Sequence, residues 1–225
     1  MTSDISNIEN AIIIPSYKEV CEDKEKYNKA FKVQYQNQDP ITGKTIIQFM
    51  DKTYLVQNSP MMPLNREELD KVYGLSYARK PHPMYKKEIP AIKEIEFSVT
   101  SNRGCFGNCS FCALTFHQGR MVQSRSKKSI IDEVKLLTKI DGFKGYIHDV
   151  GGPTADFRKP SCQKQKEHGM CRGKKCLAPT PCNNLEVDHK EYLHMLRELR
   201  QLDGVKKVFI RSGIRYDYLI EDPDP

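Results

Sequence analysis

The chain has 225 residues, of which 38% are hydrophobic, and it carries a formal net charge of +7. This length allows one large domain or two small ones, and the apolar content is sufficient for a buried core. Apolar runs stay well short of the ~20 residues that a membrane-spanning helix needs, which argues against an integral membrane protein. The positive charge is compatible with RNA or a nucleotide as partner, although scattered lysines more often form a solvated surface.

Residues 1–10 are polar and acidic and contain no signal-peptide pattern, which predicts a cytoplasmic protein. A reducing cytoplasm disfavours disulfide bonds. The eight cysteines therefore indicate metal binding, and all except Cys21 fall between residues 105 and 182.

The N-terminal part, residues 1–90, predicts a small α+β segment that leads into the rest of the chain. Residues 11–15 resemble the end of a strand, and residues 19–35 form a charged helical pattern. Two β-rich runs within residues 44–57 flank Asp51-Lys52 and predict a hairpin. We find no group of chemically reactive side chains in this part of the sequence.

The second part, residues 91–225, alternates between strand and helix patterns. The predicted elements are a strand at 95–99, a helix capped by Ser129, a strand at 145–150, a helix capped by Asp188, and a strand at 207–211. This order predicts right-handed crossovers and a parallel sheet. Because the carboxyl ends of parallel strands meet at one edge, functional groups are expected there.

The loop after the first of these strands contains three cysteines, in the sequence Cys105-Phe-Gly-Asn-Cys109-Ser-Phe-Cys112. This spacing brings three thiolates together on one loop, where they can bind three irons of a cubane cluster. Iron–sulfur clusters usually have four Cys ligands, so three would leave one iron open for a substrate or cofactor. A zinc site with His117 as the fourth ligand is the alternative.

The spacing resembles the signature of the radical S-adenosylmethionine (SAM) enzymes, whose core is a partial or full parallel (β/α) barrel. The resemblance implies an α/β fold with the first three barrel strands, and a 4Fe-4S cluster bound by Cys105, Cys109 and Cys112. The open iron would chelate SAM, and one electron would cleave SAM to a 5′-deoxyadenosyl radical. An electron donor such as flavodoxin or ferredoxin is implied as a partner.

The resemblance also implies residues that contact SAM. They are Phe111, whose backbone would approach the adenine, and Gly151, Gly152, Pro153, Thr154 and Ser212. The second strand of these enzymes usually ends in Gly-Gly-Glu, but here Pro153 and Thr154 stand in place of the glutamate. The contact to the SAM amino group is therefore expected from carbonyls or from the Thr154 hydroxyl. At the same strand end, His148 and Asp149 are candidates either for lining the pocket or for structural hydrogen bonds.

Three segments together resemble the YgiQ-type radical SAM proteins, a bacterial family. The segments are residues 101–112, 149–154 and 209–217. Members of that family are longer and have a complete barrel. We therefore expect this chain to be a fragment that covers the segment before the core and the first half of the core. An RNA-modifying radical SAM enzyme and a non-catalytic zinc-binding interaction module are the alternative functions.

A second group of cysteines lies in a Lys-, Gly- and Pro-rich insertion at residues 158–187. Its members are Cys162, Cys171, Cys176 and Cys182. Four thiolates are a complete ligand set for structural zinc or for an auxiliary 4Fe-4S cluster. His168 or His189 could replace one of them. The sequence therefore predicts a second metal site in this insertion.

Overall fold

The computed structural model describes residues 1–224. The chain divides into two compact units. The first contains Met1–Pro63 and Lys164–Lys174, and the second contains Leu64–Gln163 and the chain from Lys175 onward. Among the described residues, no helix is both long and apolar enough to cross a lipid bilayer.

The first unit is built on a small mixed sheet. Strand β1 (Ile12–Ile14) runs parallel to β2 (Ile46–Met50), and β3 (Thr53–Gln57) pairs antiparallel with β2. The tight turn between β2 and β3 places Asp51 at φ 65°, a conformation that Asp tolerates better than most residues. The hairpin predicted at residues 44–57 is therefore confirmed.

Two helices connect β1 to β2. Helix α1 (Tyr17–Glu22) begins at a capping box with Ser16 as its N-cap. The sequence pattern at 19–35 predicted a continuous helix, but the chain adopts an extended conformation at Asp23. The Asp23 carboxylate accepts hydrogen bonds from the first turn of α2 (Lys24–Gln36) and so starts a second helix. Ile14, Ala30 and Ile46 form a cluster of buried apolar residues in this unit.

The second unit contains the predicted alternation of strands and helices. Its strands are β4 (Ser98–Thr100), β5 (Asn102–Arg103), β6 (Gln123–Ser124), β7 (Tyr146–Ile147), β8 (Asp149–Gly151) and β9 (Lys207–Val208). The helices from residue 64 onward are α3 (Arg66–Tyr73), α4 (Pro90–Ile95), α5 (Leu114–Gln118), α6 (Lys127–Leu137), α7 (Gln163–His168), α8 (Lys190–Leu199) and α9 (Tyr216–Leu219). Helix α7 lies almost entirely in the first unit, and the others belong to the second.

The strands that lead to the predicted site pair in parallel. Strand β4 pairs with β8 and β7 pairs with β9, whereas β5 and β6 are antiparallel. The strand predicted at 145–150 is divided at His148, whose N–H donates to the Phe97 carbonyl oxygen at 2.9 Å. The α/β class is therefore confirmed. The partial (β/α) barrel stays a prediction, because the parallel pairs form separate two-stranded sheets in residues 1–224.

Two of the predicted strands have different boundaries in the structure. The strand predicted at 95–99 begins at Ser98, because a helix with Pro90 in its first turn extends to Ile95. The strand predicted at 207–211 ends at Val208. Beyond it, the Asp149 carboxylate binds the backbone N–H groups of the following turn, which takes the place of strand pairing.

Both predicted helix caps also shift. Helix α6 begins one turn before the predicted cap, because the Ser126 hydroxyl accepts the Ser129 N–H at 3.1 Å. Helix α8 begins at Lys190 with His189 as its N-cap. The Asp188 carboxylate nevertheless accepts the Lys190 N–H at 2.9 Å, so the predicted residue still satisfies a helix donor.

The apolar faces of α6 and α8 pack against the parallel strands. The helices contribute the buried residues Ile130, Val134, Leu137, Tyr192, Met195 and Leu199. The strands and their flanks contribute Phe97, Val99, Ile147 and Val150. Full burial of one such side chain is worth about 1.5–3 kcal/mol. This core therefore fixes the strands whose ends carry the cysteine loop and the Gly-Gly turn.

Candidate functional site

The cysteine loop leaves the sheet at the short antiparallel pair of β5 and β6. Gly104 has φ 79°, and a Cβ atom there would lie 2.2 Å from the Met121 carbonyl oxygen, so only glycine fits. The Cys105 N–H donates to the Gly119 carbonyl oxygen at 3.0 Å. These contacts close the base of the loop that carries the three cysteines.

Two buried arginines hold the end of β4. Arg125 Nη1 donates to the Thr100 carbonyl oxygen at 2.9 Å, and Arg158 Nη1 donates to the Ser101 carbonyl oxygen at 2.8 Å. Burial lowers the pKa of Arg158, and the neighbouring Glu191 carboxylate opposes that shift. Because buried carbonyl groups need hydrogen-bond donors, these arginines fix the place where the cysteine loop begins.

The three cysteines of the loop differ in exposure. Cys105 is buried, whereas Cys109 and Cys112 are half-buried. The Cys105 Sγ lies 3.9 Å from the Thr154 Oγ1, which follows the second strand. The Cys112 N–H donates to the Cys109 carbonyl oxygen at 3.1 Å, which keeps this part of the loop in a tight turn.

Arg215 reaches the cysteine loop from the segment after the third strand. Its Nη1 donates to the Cys109 Sγ at 3.0 Å. Burial raises the pKa of the Cys105 thiol, and hydrogen bonds from the Gly107 N–H and the Thr154 hydroxyl oppose this rise, as does the Arg215 charge. The loop therefore presents N–H groups and positive charge to its thiols, and at Cys105 the effect of burial outweighs them.

The loop fits an iron–sulfur cluster through the chemistry of its donors. Soft thiolates are the ligands of such clusters, and Cys105, Cys109 and Cys112 supply three of them from one loop. Within residues 1–224, no three Cys, His, Asp or Glu side chains converge closely enough to hold a metal ion. His117, the alternative zinc ligand, is exposed on α5.

The second and third strand ends come together at Gly151 and Gly152. A Cβ atom on Gly151 would lie 1.7 Å from the Ser212 Oγ, and one on Gly152 would lie 2.4 Å from the Asn102 carbonyl oxygen. Asn102 Nδ2 in turn donates to the Thr154 carbonyl oxygen at 3.1 Å. Four of the residues predicted to contact SAM therefore lie close together, namely Gly151, Gly152, Thr154 and Ser212. The absence of side chains at the two glycines leaves room for Ser212 and Asn102.

Asp149 ties the second and third strand ends together. Its Oδ1 accepts hydrogen bonds from the Arg211 N–H at 2.8 Å, the Ser212 N–H at 3.2 Å and the Ser212 hydroxyl at 3.1 Å. These bonds give Asp149 a structural role, which is one of the two alternatives left open by the sequence. The His148 ring packs edge-on against Phe97, with centroids 5.6 Å apart.

His189 lies in a buried polar group that local sequence patterns do not reveal. Its Nδ1 lies 2.6 Å from the Asp222 Oδ2 and its Nε2 lies 3.4 Å from the Asp156 Oδ2, and each partner is 33 residues away in the sequence. Both ring nitrogens therefore face carboxylates. This arrangement removes His189 from the ligands considered for the second metal site.

The second cysteine group is divided between the two units. Cys171 belongs to the first unit, and Cys162, Cys176 and Cys182 belong to the second. In the second unit, the Cys182 N–H donates to the Cys176 carbonyl oxygen at 2.9 Å. Burial raises the pKa of the Cys176 thiol, and Cys162 and Cys182 add to that rise. The part of the chain that the structure describes shows no metal-holding group here, so the second site stays a prediction.

Comparisons with known proteins identify relatives of this chain. A sequence model of the family described as "Radical SAM N-terminal" matches residues 2–98. A UPF0313 protein of Clostridium perfringens is 58% identical over 218 residues, which are 96% of this chain and 33% of the relative. A UPF0313 protein of Clostridium botulinum is 58% identical over 221 residues, which are 97% of this chain and 34% of the relative. The UPF0313 proteins are the YgiQ-type radical SAM proteins. The chain belongs to this family.

The chain spans about a third of the length of the curated YgiQ-type relatives it matches, 33% and 34% of the two above. Radical SAM proteins in general use a 4Fe-4S cluster and SAM, so family membership agrees with the cofactors predicted from the cysteine loop. Family membership does not identify which residues of this chain bind those cofactors, because that depends on the local geometry.

The other two residues predicted to contact SAM in this YgiQ-type chain are Pro153 and Phe111. Pro153 is half-buried within the Gly-Gly turn. The Phe111 side chain is 92% exposed in the cysteine loop. The role predicted for Phe111 concerns its backbone, and the exposed ring does not test it. Both assignments therefore stay predictions.

Proposed function

We propose that this YgiQ-type protein is a radical SAM enzyme whose 4Fe-4S cluster is held by Cys105, Cys109 and Cys112. The observation that carries the proposal is the loop itself, which brings three thiols within eight residues at the end of a parallel strand. The family relationship supports the general reaction class, and the loop supplies the residues for it.

Cys105, Cys109 and Cys112 would hold the cluster, which would supply an open iron for SAM and the electron for its reductive cleavage. The chain's own residues hold the donors and set the polarity around them. Cys105 is buried beside Thr154, and Arg215 brings a positive charge to the Cys109 sulfur.

We assign SAM binding to the strand ends next to this loop. The residues are Phe111, Gly151, Gly152, Pro153, Thr154 and Ser212. The Thr154 hydroxyl lies 3.9 Å from the Cys105 Sγ, so the residue that replaces the usual glutamate lies beside the first cluster ligand. Ser212 and Asn102 fill the space that the glycines leave. The SAM amino group would therefore be met by backbone carbonyls and the Thr154 hydroxyl.

Strand pairing supports a partial parallel (β/α) barrel as the fold of this core. Hydrogen bonds continue past the short strands, since the His148 N–H binds the Phe97 carbonyl oxygen at 2.9 Å and the Phe209 N–H binds the Ile147 carbonyl oxygen at 3.0 Å. The first, second and third strands are thus neighbours in chain order. We place the core from residue 91 onward, after an N-terminal segment at residues 1–90.

Reductive cleavage of SAM needs an electron from another protein. We therefore include a small electron carrier of the flavodoxin or ferredoxin type as a partner in the proposal. The proposal also includes a substrate that loses a hydrogen atom. The cytoplasmic location predicted from the sequence stays a prediction.

Anaerobic reconstitution with iron and sulfide tests this function. We expect a brown protein with charge-transfer absorbance, an EPR signal on reduction, and formation of 5′-deoxyadenosine when SAM and a reductant are added. A colourless protein that holds only zinc would contradict the proposal and would favour the non-catalytic zinc module.

Two cysteine variants make the test specific to the loop. Cys109→Ala should lose the cluster signal and SAM cleavage, because a required thiolate ligand is removed. Cys21→Ala is the matched control, since this exposed thiol lies on α1, outside both cysteine groups. SAM cleavage that persists in Cys109→Ala would refute the assignment of the cluster to this loop.

A further inference from the structure

The Arg215 side chain is held in a defined place by Asp217. Arg215 Nε donates to the Asp217 Oδ1 at 2.9 Å, and Nη2 donates to the Asp217 Oδ2, which together form a bidentate pair. Asp217 accepts both hydrogen bonds, and an arginine guanidinium is always protonated in proteins, so this side chain is positively charged. The other terminal nitrogen, Nη1, donates to the Cys109 Sγ at 3.0 Å.

The backbone of the cysteine loop leaves room for this guanidinium at Gly107. A Cβ atom on Gly107 would lie 2.5 Å from the Arg215 Nη1 and 3.3 Å from the Cys105 Sγ. The first distance is too short for a real Cβ contact, so any other residue here would push the Arg215 side chain away. The guanidinium therefore occupies a space that depends on the absence of a side chain at position 107.

The backbone of Arg215 is anchored by a buried polar chain. Its N–H donates to the Asp156 Oδ1 at 3.1 Å, and the Asp156 Oδ2 lies 3.4 Å from the His189 Nε2. Asp156 is 1% exposed and His189 is 2% exposed. Asp222 completes the chain at the His189 Nδ1, 2.6 Å away. These contacts position the residue that reaches the Cys109 sulfur.

We propose that Arg215 is a positioning residue for the cluster loop, which holds the Cys109 sulfur by a charge-assisted N–H···S bond and raises the reduction potential of the cluster. This inference rests on the proposed function, because it takes Cys109 as a ligand. Hydrogen bonds to ligand sulfurs are among the factors that set cluster potentials, and a positive charge favours the more negative, reduced state. Outer groups of this kind typically change metal affinity by about 10–100-fold.

An EPR-monitored redox titration of the reconstituted protein tests the inference, together with the rate of iron loss to a chelator. Arg215→Met should shift the midpoint potential to a more negative value and should speed iron loss by about tenfold or more. Arg215→Lys keeps the charge but cannot form the bidentate pair with Asp217. Its midpoint potential and its rate of iron loss should therefore lie between those of the unaltered protein and Arg215→Met. Arg197→Met, at an exposed arginine on α8, should behave like the unaltered protein.

Gly107→Ala tests the same contact while leaving Arg215 in the chain. The added methyl group should displace the guanidinium from Cys109, because it would lie 2.5 Å from Nη1. The potential should therefore shift in the same direction as in Arg215→Met. The double variant should show no further shift, since both changes remove one contact.

The outcomes separate this inference from the function on which it rests. Unaltered protein that takes up no cluster would overturn both. If the unaltered protein takes up a cluster, an unchanged potential and unchanged iron loss in Arg215→Met and Gly107→Ala would overturn only the role of Arg215. If Arg215→Met does not fold, Gly107→Ala alone decides, by shifting the potential or leaving it unchanged.

Discussion

The two cysteine groups of this chain differ in how firmly the fold places them. The loop with Cys105, Cys109 and Cys112 leaves a strand end whose carbonyl groups are bound by two buried arginines. The insertion at 158–187 is closed at its base by an ion pair between Lys159 and Asp188, whose side chains are 39% and 36% exposed. The strand end before the cysteine loop is therefore held by buried side chains, whereas the ion pair at the base of the insertion is partly exposed.

Spacing in the sequence explains much of this difference. Three and two residues separate the cysteines of the first group, so the thiols share one loop whatever the surroundings. Eight, four and five residues separate those of the second group, and Cys171 belongs to a different compact unit from the others. Short spacing therefore places the first three thiols on one loop, whereas the second group depends on the fold to bring its thiols together; both metal sites stay predictions.

Removal of Arg125 should have the largest effect on the firmly held region. Arg125 is 1% exposed and forms an ion pair with Glu133, which is itself buried. Arg125→Met would leave that carboxylate with only the Arg79 guanidinium and would remove the donor to the Thr100 carbonyl oxygen. We expect a loss of about 3–5 kcal/mol in the free energy of unfolding, measured by urea titration.

The matched control for this prediction is a solvent-facing ion pair on α6, the helix that carries Glu133. Lys128 pairs with Asp132, and its side chain is 85% exposed. Lys128→Met should leave the free energy of unfolding almost unchanged, because solvent screens this pair. Similar small losses for Lys128→Met and Arg125→Met would show that burial does not distinguish the anchors of this region.

The fold was predictable where it follows from local patterns. The hairpin, the parallel direction of the core strands and the apolar faces of α6 and α8 all have a signal within a few residues. Helix starts were less predictable, because Ser126 and Ser129 both suit an N-cap. The choice depends on Asp70, which accepts the Ser126 N–H at 2.9 Å from 56 residues away.

The candidate site was predictable to the same degree. Cys105 and the Gly-Gly turn have recognisable sequence signals, and the structure places Cys105 within 3.9 Å of Thr154. Arg158 and His189 have none, because their partners lie 57 and 33 residues away. Such long-range contacts cannot be predicted from hydropathy or from the spacing of residues. The roles of Arg158 and His189 are therefore evident only in the folded structure.

Alanine substitutions at two glycines should differ in their effect on the free energy of unfolding. The loss should be intermediate at Gly152, in the Gly-Gly turn beside the cysteine loop, and almost zero at Gly173, in the insertion. A Cβ atom on Gly152 would lie 2.4 Å from the Asn102 carbonyl oxygen, which is backbone and cannot move away easily. Gly152→Ala should therefore cost about 1–3 kcal/mol of unfolding free energy. Among the described residues, nothing lies within 4 Å of a Cβ atom on Gly173, in the insertion. Gly173→Ala should stay within about 0.5 kcal/mol, and equal losses in urea titrations of both would contradict the contrast.

Substitution of Asp188, at the base of the insertion, should have the smallest effect on the free energy of unfolding. A hydrogen bond from Lys159 lowers the pKa of the Asp188 carboxyl, and the Lys190 N–H adds to this. A carboxylate with a lower pKa in the folded state stabilises the fold above its unfolded pKa of about 3.9. That contribution is lost as the pH falls through the lowered folded value. Because solvent screens this exposed pair, its contribution should be only about 0.2–1 kcal/mol.

Asp188→Asn should therefore be slightly less stable than the unaltered protein at pH 7, and the difference should disappear as the pH falls well below about 4. Urea titrations of both proteins at neutral and acidic pH measure this directly. Added salt should also shrink the difference at pH 7, because the ion pair is exposed. A loss as large as that of Arg125→Met, or one that is the same at both pH values, would mean that the Lys159–Asp188 pair stabilises the fold like a buried anchor and not like a solvent-screened contact.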